Sequence, residues 1–130
     1  MKPDKTIEDW IRIARMDWQR VRRSLQFNDI TVAGFYLQQC LEKYLKAFLI
    51  QRGWQLKKIH ELDALLDEVM KFLPELSSFK ELCARVSPYY LADRYPPFGS
   101  LGVTAEDIEK DLEDANKLIK CLFPEEKLDA

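Results

Sequence analysis

Glycine, cysteine and histidine are all scarce in this chain of 130 residues, and each shortage excludes a class of protein. Four glycines and six prolines are too few for a β-sandwich, a barrel or a disordered chain. Three widely spaced cysteines, Cys40, Cys83 and Cys121, make neither a disulfide framework nor a zinc motif, so we interpret them as buried thiols in a reducing compartment. A single histidine, His60, excludes the di-iron bundle, which needs two Glu-x-x-His motifs.

Long hydrophobic runs are also missing. No apolar segment approaches the roughly 18 residues of a membrane span, and the first residues do not resemble a signal peptide, so we expect a cytoplasmic protein. The net charge of −2 gives no overall attraction to nucleic acid, and any such affinity must come from local patches. The length suits a single domain, which we expect over residues 1–124, with a charged C-terminal tail over residues 125–130.

Apolar residues recur at three- and four-residue spacing along most of the chain, which predicts an all-α protein. We expect an up-and-down bundle of four to five helices. They are predicted at residues 6–26, 31–52 and 60–72, from residue 77 with a break at Ser87–Pro88, and between Thr104 and Pro124. Thr6 is predicted to cap the first helix, Gly53 to end the second, and Thr104 and Asp107 to form a capping box at the start of the last. The second helix is apolar over about half of its circumference, so we expect it at the centre of the bundle.

The other face of the second helix carries polar residues that two apolar residues interrupt. The set consists of Phe35, Gln38, Gln39, Glu42, Lys43, Lys46 and Leu49. A fully solvated face does not explain exposed Phe35 and Leu49. We therefore predict that these seven residues form a dimer interface or line a polar pocket between helices.

Several short segments, taken in order, resemble the HEPN domain, a small helical-bundle family named for nucleotide binding. They are the first helix from Trp10, the segment Gln38 to Ala47 (QQCLEKYLKA), His60-Glu61-Leu62, Arg94-Tyr95-Pro96 and Thr104-Ala105-Glu106. The similarity spans nearly the whole chain, from about Trp10 to Leu122. It implies a bundle that usually forms a homodimer. It also implies a minimal nucleotidyltransferase as partner, because small HEPN proteins are commonly encoded beside one as a toxin–antitoxin-like pair.

Many HEPN proteins are metal-independent ribonucleases whose signature is an arginine, a polar residue and, a few positions later, a histidine. Arg94 occupies the arginine position here, but no histidine follows it, and His60 belongs to a different predicted helix. Cleaving RNA without a metal requires a group that accepts the 2′-hydroxyl proton, and histidine suits that task. The absence of this histidine from the expected position after Arg94 favours a binding module over an enzyme.

Arg94 and Tyr95 are the candidate nucleotide- or phosphate-binding residues. Arginine holds phosphate through fixed, charged donors, and a tyrosine ring can stack on a base. We predict no catalytic residue, no metal site and no cofactor. A purely structural role remains open for Arg94, for Tyr95 and for His60, which we expect to cap the third helix or lie in its first turn.

The first helix carries five arginines, Arg12, Arg15, Arg20, Arg22 and Arg23. They could bind phosphate, but a solvated face is the commoner explanation for such a set.

Three functions remain after this reasoning. The first is a HEPN-type binding module that acts as a homodimer with a nucleotidyltransferase and binds nucleotide or RNA phosphate near Arg94. The second is a metal-independent ribonuclease with a degenerate motif, in which Arg94 works with Tyr95, Asp93 or a residue supplied across a dimer. The third is a structural adaptor that docks another protein through the irregular apolar loop at residues 97–103.

Overall fold

The computed structural model describes residues 3–92 and 102–128, with the side chains of residues 6–91 in the first range, and every regular element in these ranges is a helix. The α-helices are α1 (Pro3–Gln26), α2 (Ile30–Gln51), α3 (Leu62–Met70), α4 (Lys80–Val86), α5 (Tyr89–Ala92) and α6 (Ala105–Leu122), and a 3-10 helix spans Pro74–Phe79. The predicted all-α bundle is therefore confirmed. The predicted break at Ser87–Pro88 is confirmed too, because it separates α4 from α5.

Helix α2 lies at the centre of the bundle, as its wide apolar arc predicts, and contacts α1, α3, α5 and α6. Its start is fixed by Asp29, whose side chain accepts a hydrogen bond from the Val32 backbone N–H. Its end is fixed by Gly53, which has a φ of +89°. Gly53 N–H donates to the Ile50 carbonyl and Trp54 N–H to the Leu49 carbonyl, which is the Schellman arrangement. The prediction for Gly53 is confirmed.

Helix α1 begins three residues before its predicted cap. Thr6 lies inside the helix, so the prediction that it caps α1 is wrong. Pro3 is the first residue of the helix, a position where its missing N–H is not needed. The side of α1 that faces the core carries Ala14, Trp18 and Val21, which are buried.

Helix α3 is shorter than predicted, because His60 and Glu61 precede it. Its first N–H, at Leu62, donates to the hydroxyl of Ser87 at 2.9 Å, which fastens the start of α3 to the junction of α4 and α5. The capping box predicted at Thr104 is present at the start of α6, where Thr104 and Asp107 exchange side-chain-to-backbone hydrogen bonds of 2.9 and 3.1 Å.

Helix α5 is held between α2 and α6. A Cβ atom at Gly34 of α2 would lie 3.3 Å from the ring of Tyr89, so glycine permits this close approach. On the other side, the Tyr89 hydroxyl donates to Asp111 at 3.1 Å, and Asp111 also accepts from Arg85 at 2.7 and 2.9 Å. These contacts fix the position of the next residue, Tyr90.

The segment predicted to be a charged tail packs on the bundle as far as the structure describes it. Glu126 is buried and accepts hydrogen bonds from the Arg15 guanidinium at 2.9 and 2.5 Å and from the Tyr44 hydroxyl at 2.6 Å. Leu128 packs against the core. The division of the chain at residue 124 stays a prediction. Over the described ranges, no helix has the length and apolar character that crossing a membrane requires.

Candidate functional site

The polar face of α2 is largely buried, contrary to what an exposed interface requires. Gln38 is fully buried, and only 6% of Glu42 and 4% of Lys46 is accessible to solvent. Leu49 is fully buried in the core, so the expectation that it is exposed is wrong. Phe35 is half-buried, with its ring edge-on to the ring of Tyr36 at 5.2 Å between centroids.

Glu42 is the centre of a buried hydrogen-bond cluster. Its carboxylate accepts from Lys46 Nζ at 3.0 Å and from Gln38 Nε2 at 3.1 Å, and both donors belong to α2. The Nδ1 atom of His60 lies 3.3 Å from each carboxylate oxygen. Gln38 Nε2 also donates to the His60 carbonyl at 2.8 Å. The cluster therefore ties the segment before α3 to α2 through both the backbone and the ring of His60.

His60 is the exposed member of this cluster, since half of its side chain is accessible to solvent. Its ring lies against that of Tyr90, with centroids 5.5 Å apart and an interplanar angle of 32°. A carboxylate can only accept, so Nδ1 carries the proton in the bond to Glu42. Among the residues that the structure describes, Nε2 has no hydrogen-bond partner. The expectation that His60 caps α3 or lies in its first turn is wrong, because its side chain turns to α2 instead.

A second polar group continues from the cluster toward α1. Gln39 Nε2 donates to Gln38 Oε1 at 2.7 Å, and Lys43 Nζ donates to Gln39 Oε1 at 3.3 Å. Asp17 of α1 accepts from Lys43 Nζ at 2.5 Å and from Arg20 Nη1 at 2.8 Å. The five polar residues predicted to share a face of α2 thus belong to one hydrogen-bonded seam. It joins α1, α2 and the segment before α3.

The basic stripe of α1 is largely neutralised. Arg15 pairs with Glu126, Arg20 with Asp17, and Arg12 lies 3.7 Å from Asp9. Arg22 lines a small groove between α1 and α6 whose other charged residues are glutamates. This arrangement suits a solvated face better than a phosphate-binding surface.

The cysteines supply no activated nucleophile from the core. Burial raises the pKa of Cys40 well above its ordinary value and that of Cys83 to about 12, so both are protonated at neutral pH. Cys121 is exposed, so the expectation that all three thiols are buried is wrong for this one. Across residues 3–92 and 102–128, His, Cys, Asp and Glu side chains form no group that could hold a metal ion.

Arg94 and Tyr95, the predicted phosphate-binding residues, lie outside the described residues, as do Asp93 and residues 97–101 of the predicted docking loop. The structure brings together four other residues of the segments that resemble HEPN: Gln38, Glu42, Lys46 and His60. The sequence reasoning did not relate His60 to Glu42, which lies 18 residues earlier in a different element. The signal in the sequence that could have linked them is that all four lie in segments that resemble the HEPN domain.

Comparisons with known proteins place this architecture in a family. The family model of the HEPN domain matches residues 7–127. The crystal structure of TT1696 from Thermus thermophilus is similar, with a TM-score of 0.79 and 26% sequence identity over 89% of this chain and 94% of that chain. No curated protein matches the chain. Since the matched range covers nearly the whole sequence, the chain belongs to the HEPN domain family.

Proposed function

We propose that this HEPN module binds RNA or nucleotide phosphate near Arg94 and Tyr95, as a homodimer that acts with a nucleotidyltransferase partner. The observation that carries the proposal is the half-exposed ring of His60, with the partly buried ring of Tyr90 against it, above the buried Glu42 cluster. Arg94 follows Tyr90 by four residues in the sequence. Only three residues separate the two, so Arg94 is close to Tyr90 in the sequence.

The residue types at this surface suit a phosphate attached to a base. Arginine keeps its charge at every physiological pH and offers a planar fork of donors to phosphate. Tyr95 and Tyr90 are aromatic, and each base that stacks on such a ring gains about 1–3 kcal/mol. The chain as a whole is slightly acidic, so binding has to come from this local arrangement rather than from net charge.

Titration of a fluorescently labelled single-stranded RNA tests the binding surface. We expect Arg94→Ala to weaken RNA affinity by roughly tenfold and to reduce the salt dependence of binding by about one phosphate contact. The matched control is Arg23→Ala, which removes an exposed arginine of α1 and should leave the affinity unchanged. If Arg23→Ala weakens binding and Arg94→Ala does not, the basic stripe of α1 is the binding surface and the proposal fails.

Three exposed apolar side chains support the homodimer. Ile13 and Met16 lie on one side of α1, and Phe27 follows the end of the helix at matching helical spacing. A second copy packed against this side of α1 would cover these side chains. In sedimentation equilibrium we expect a dimer that Met16→Glu dissociates, whereas Leu56→Glu, at another exposed apolar position, leaves it intact. A monomeric wild-type protein contradicts the proposal.

The nucleotidyltransferase is proposed from membership of the HEPN family and the pairing that this resemblance implies. Gel filtration of the purified protein with a nucleotidyltransferase encoded by a neighbouring gene tests it. We expect the two proteins to co-elute at micromolar concentration. Separate elution would remove the partner from the proposal and leave the RNA-binding surface to be judged by its own titration.

A further inference from the structure

The longest stretch of the sequence without an acidic residue runs from Lys43 to His60. Its first two lysines are paired in the seam with Asp17 and Glu42. Its other three cations are exposed and form no ion pair with a described residue: Arg52, Lys57 and Lys58. In a protein with a net charge of −2, unpaired positive charge is therefore concentrated on the α2–α3 connector, residues 52–61.

The connector runs back along α2 in a stretched conformation. Near the end of α2, Trp54 N–H donates to the Leu49 carbonyl at 3.0 Å. Only six residues later, the His60 carbonyl accepts from Gln38, which lies eleven residues before Leu49. Eleven residues of helix rise by about 16 Å, so the connector covers about 2.7 Å per residue, nearer to the 3.3 Å of a strand than to the 1.5 Å of a helix.

The middle of the connector is an exposed backbone edge. Trp54 and Ile59 pack against the core and anchor it on either side. Residues 55–58, between these anchors, are all exposed, and their backbone groups make no hydrogen bond with another backbone group of the described residues. A stretched segment with free N–H and C=O groups is an edge to which an extended peptide can add as a strand. Because the anchors already hold the segment, it has little freedom to lose on binding.

Two of the three cations are held in place by aromatic rings. The guanidinium carbon of Arg52 lies 3.5 Å from the centroid of the Phe48 ring, and Lys57 Nζ lies 5.8 Å from that of Trp54. An aromatic ring attracts a cation but does not neutralise it, so both charges stay available to a carboxylate. Leu56, between them in the sequence, is 59% exposed. The same edge therefore offers positive charge and an apolar side chain.

We propose that residues 55–58 bind an extended acidic segment of a partner protein by strand addition. The peptide backbone pairs with the free backbone groups, its carboxylates meet Arg52, Lys57 and Lys58, and an apolar side chain covers Leu56. A lipid surface fits less well, because backbone groups without partners are costly in hydrocarbon. RNA would pair with the cations but has no regular row of backbone partners to offer. The proposal does not depend on RNA binding near Arg94.

The test titrates the full chain with a short fluorescently labelled peptide in which glutamate and valine alternate, and follows the anisotropy. We expect Lys57→Gln/Lys58→Gln to weaken the affinity by about fivefold, since two exposed charge pairs are lost. The matched control, Lys110→Gln/Lys117→Gln, removes two exposed lysines of α6 and should bind as the wild type does. The same peptide with glutamine in place of glutamate should bind at least about tenfold more weakly.

Backbone pairing has its own readout, which attraction between charges does not move. Strand addition protects every second amide of residues 55–58, so we expect hydrogen exchange at alternate positions to slow by about tenfold or more in the complex. A peptide whose alternate nitrogens are methylated, made in both registers, should lose its affinity in one register and keep it in the other. Binding without alternate protection overturns strand addition.

The remaining outcomes separate the occupants. A peptide that does not bind, or that binds Lys57→Gln/Lys58→Gln as tightly as the wild type, overturns the proposal. Single-stranded RNA and vesicles of equal phosphatidylcholine and phosphatidylserine are titrated against the same variants. If either of them, and not the peptide, loses affinity with these two lysines, the connector serves that ligand and the proposal fails. A dimer that Leu56→Glu dissociates would show that a second copy covers the edge, and this too would overturn it.

Discussion

Two of the buried carboxylates that contact helix α2, Glu42 and Glu126, differ in what their partners leave free. Glu42 belongs to α2 and accepts from Lys46, Gln38 and His60. Glu126 comes from the C-terminal segment and accepts from Arg15 and from Tyr44 of α2. Both are nearly inaccessible, with 6% and 5% of each residue exposed. Each combines a cation with an uncharged donor, so the burial and charge of the two acids are alike.

The difference lies in the exposed partner of each acid. Arg15 gives Nε and Nη2 to Glu126 and cannot release a proton, so this pair can only fasten the C-terminal segment. His60 gives one nitrogen to Glu42 and keeps a second that has no hydrogen-bond partner among the described residues. The Glu126–Arg15 pair is thus a clamp for the C-terminal segment, whereas Glu42 holds a half-exposed imidazole ring.

The largest expected effect comes from removing one charge of the Glu42 pair. Glu42→Met leaves Lys46 buried without its carboxylate, and we expect the free energy of unfolding to fall by about 3 kcal/mol or more. The double variant Glu42→Met/Lys46→Met removes both charges and should be more stable than Glu42→Met alone. Urea denaturation measures both. A double variant that is less stable than either single variant would show that the pair is a net source of stability.

Removing the clamp should have the next largest effect. A chain that ends at Pro124 lacks Glu126 and therefore leaves the buried Tyr44 hydroxyl without its acceptor. It also lacks Leu128 and the contacts that this side chain makes with the core. We expect a loss of about 2 kcal/mol in the free energy of unfolding. The matched control ends at Leu128 and should be as stable as the full chain. Equal stability of all three chains would mean that residues 125–128 are a tail, as predicted from the sequence.

The clamp should also be visible in acid. Burial alone would raise the pKa of Glu126, but the hydrogen bonds from Arg15 and Tyr44 outweigh it, so the pKa lies below its ordinary value. A lowered pKa contributes stability that is complete above the unfolded value, about 4.3, and is lost as pH falls through the folded value. Glu126→Gln should therefore cost about 1 kcal/mol at pH 7, since Arg15 is more than half exposed, and the cost should shrink in acid. A cost independent of pH would contradict this assignment.

The smallest effect is expected at His60, and it sharpens the comparison most. His60→Asn should change the free energy of unfolding by less than about 0.5 kcal/mol, because the side chain is half exposed and Glu42 keeps Lys46 and Gln38. Thermal and urea denaturation measure it, with the exposed Lys71→Ala as the reference for a neutral change. A loss near that of Glu42→Met would make His60 a structural residue.

Sequence reasoning succeeded where a local pattern sufficed. The turn glycine Gly53, the capping box at Thr104 and the break at Ser87–Pro88 each depend on a few neighbouring residues, and all three are confirmed. It failed where the partner is distant. The sequence does not show that Lys46 is buried beside Glu42, and Leu49 is predicted to be exposed only because its neighbours on the helical wheel are polar. The helical wheel places residues on a face but does not say what covers that face.

The sequence by itself determined the helical class, the central place of α2 and the resemblance that the family model confirms, because periodicity and motif order are properties of the chain. Only the tertiary structure decided that His60 faces Glu42 and that Glu126 closes on Arg15 and Tyr44. These contacts join residues 18, 111 and 82 positions apart, and pairs so distant are selected by how the helices pack together rather than by any local preference.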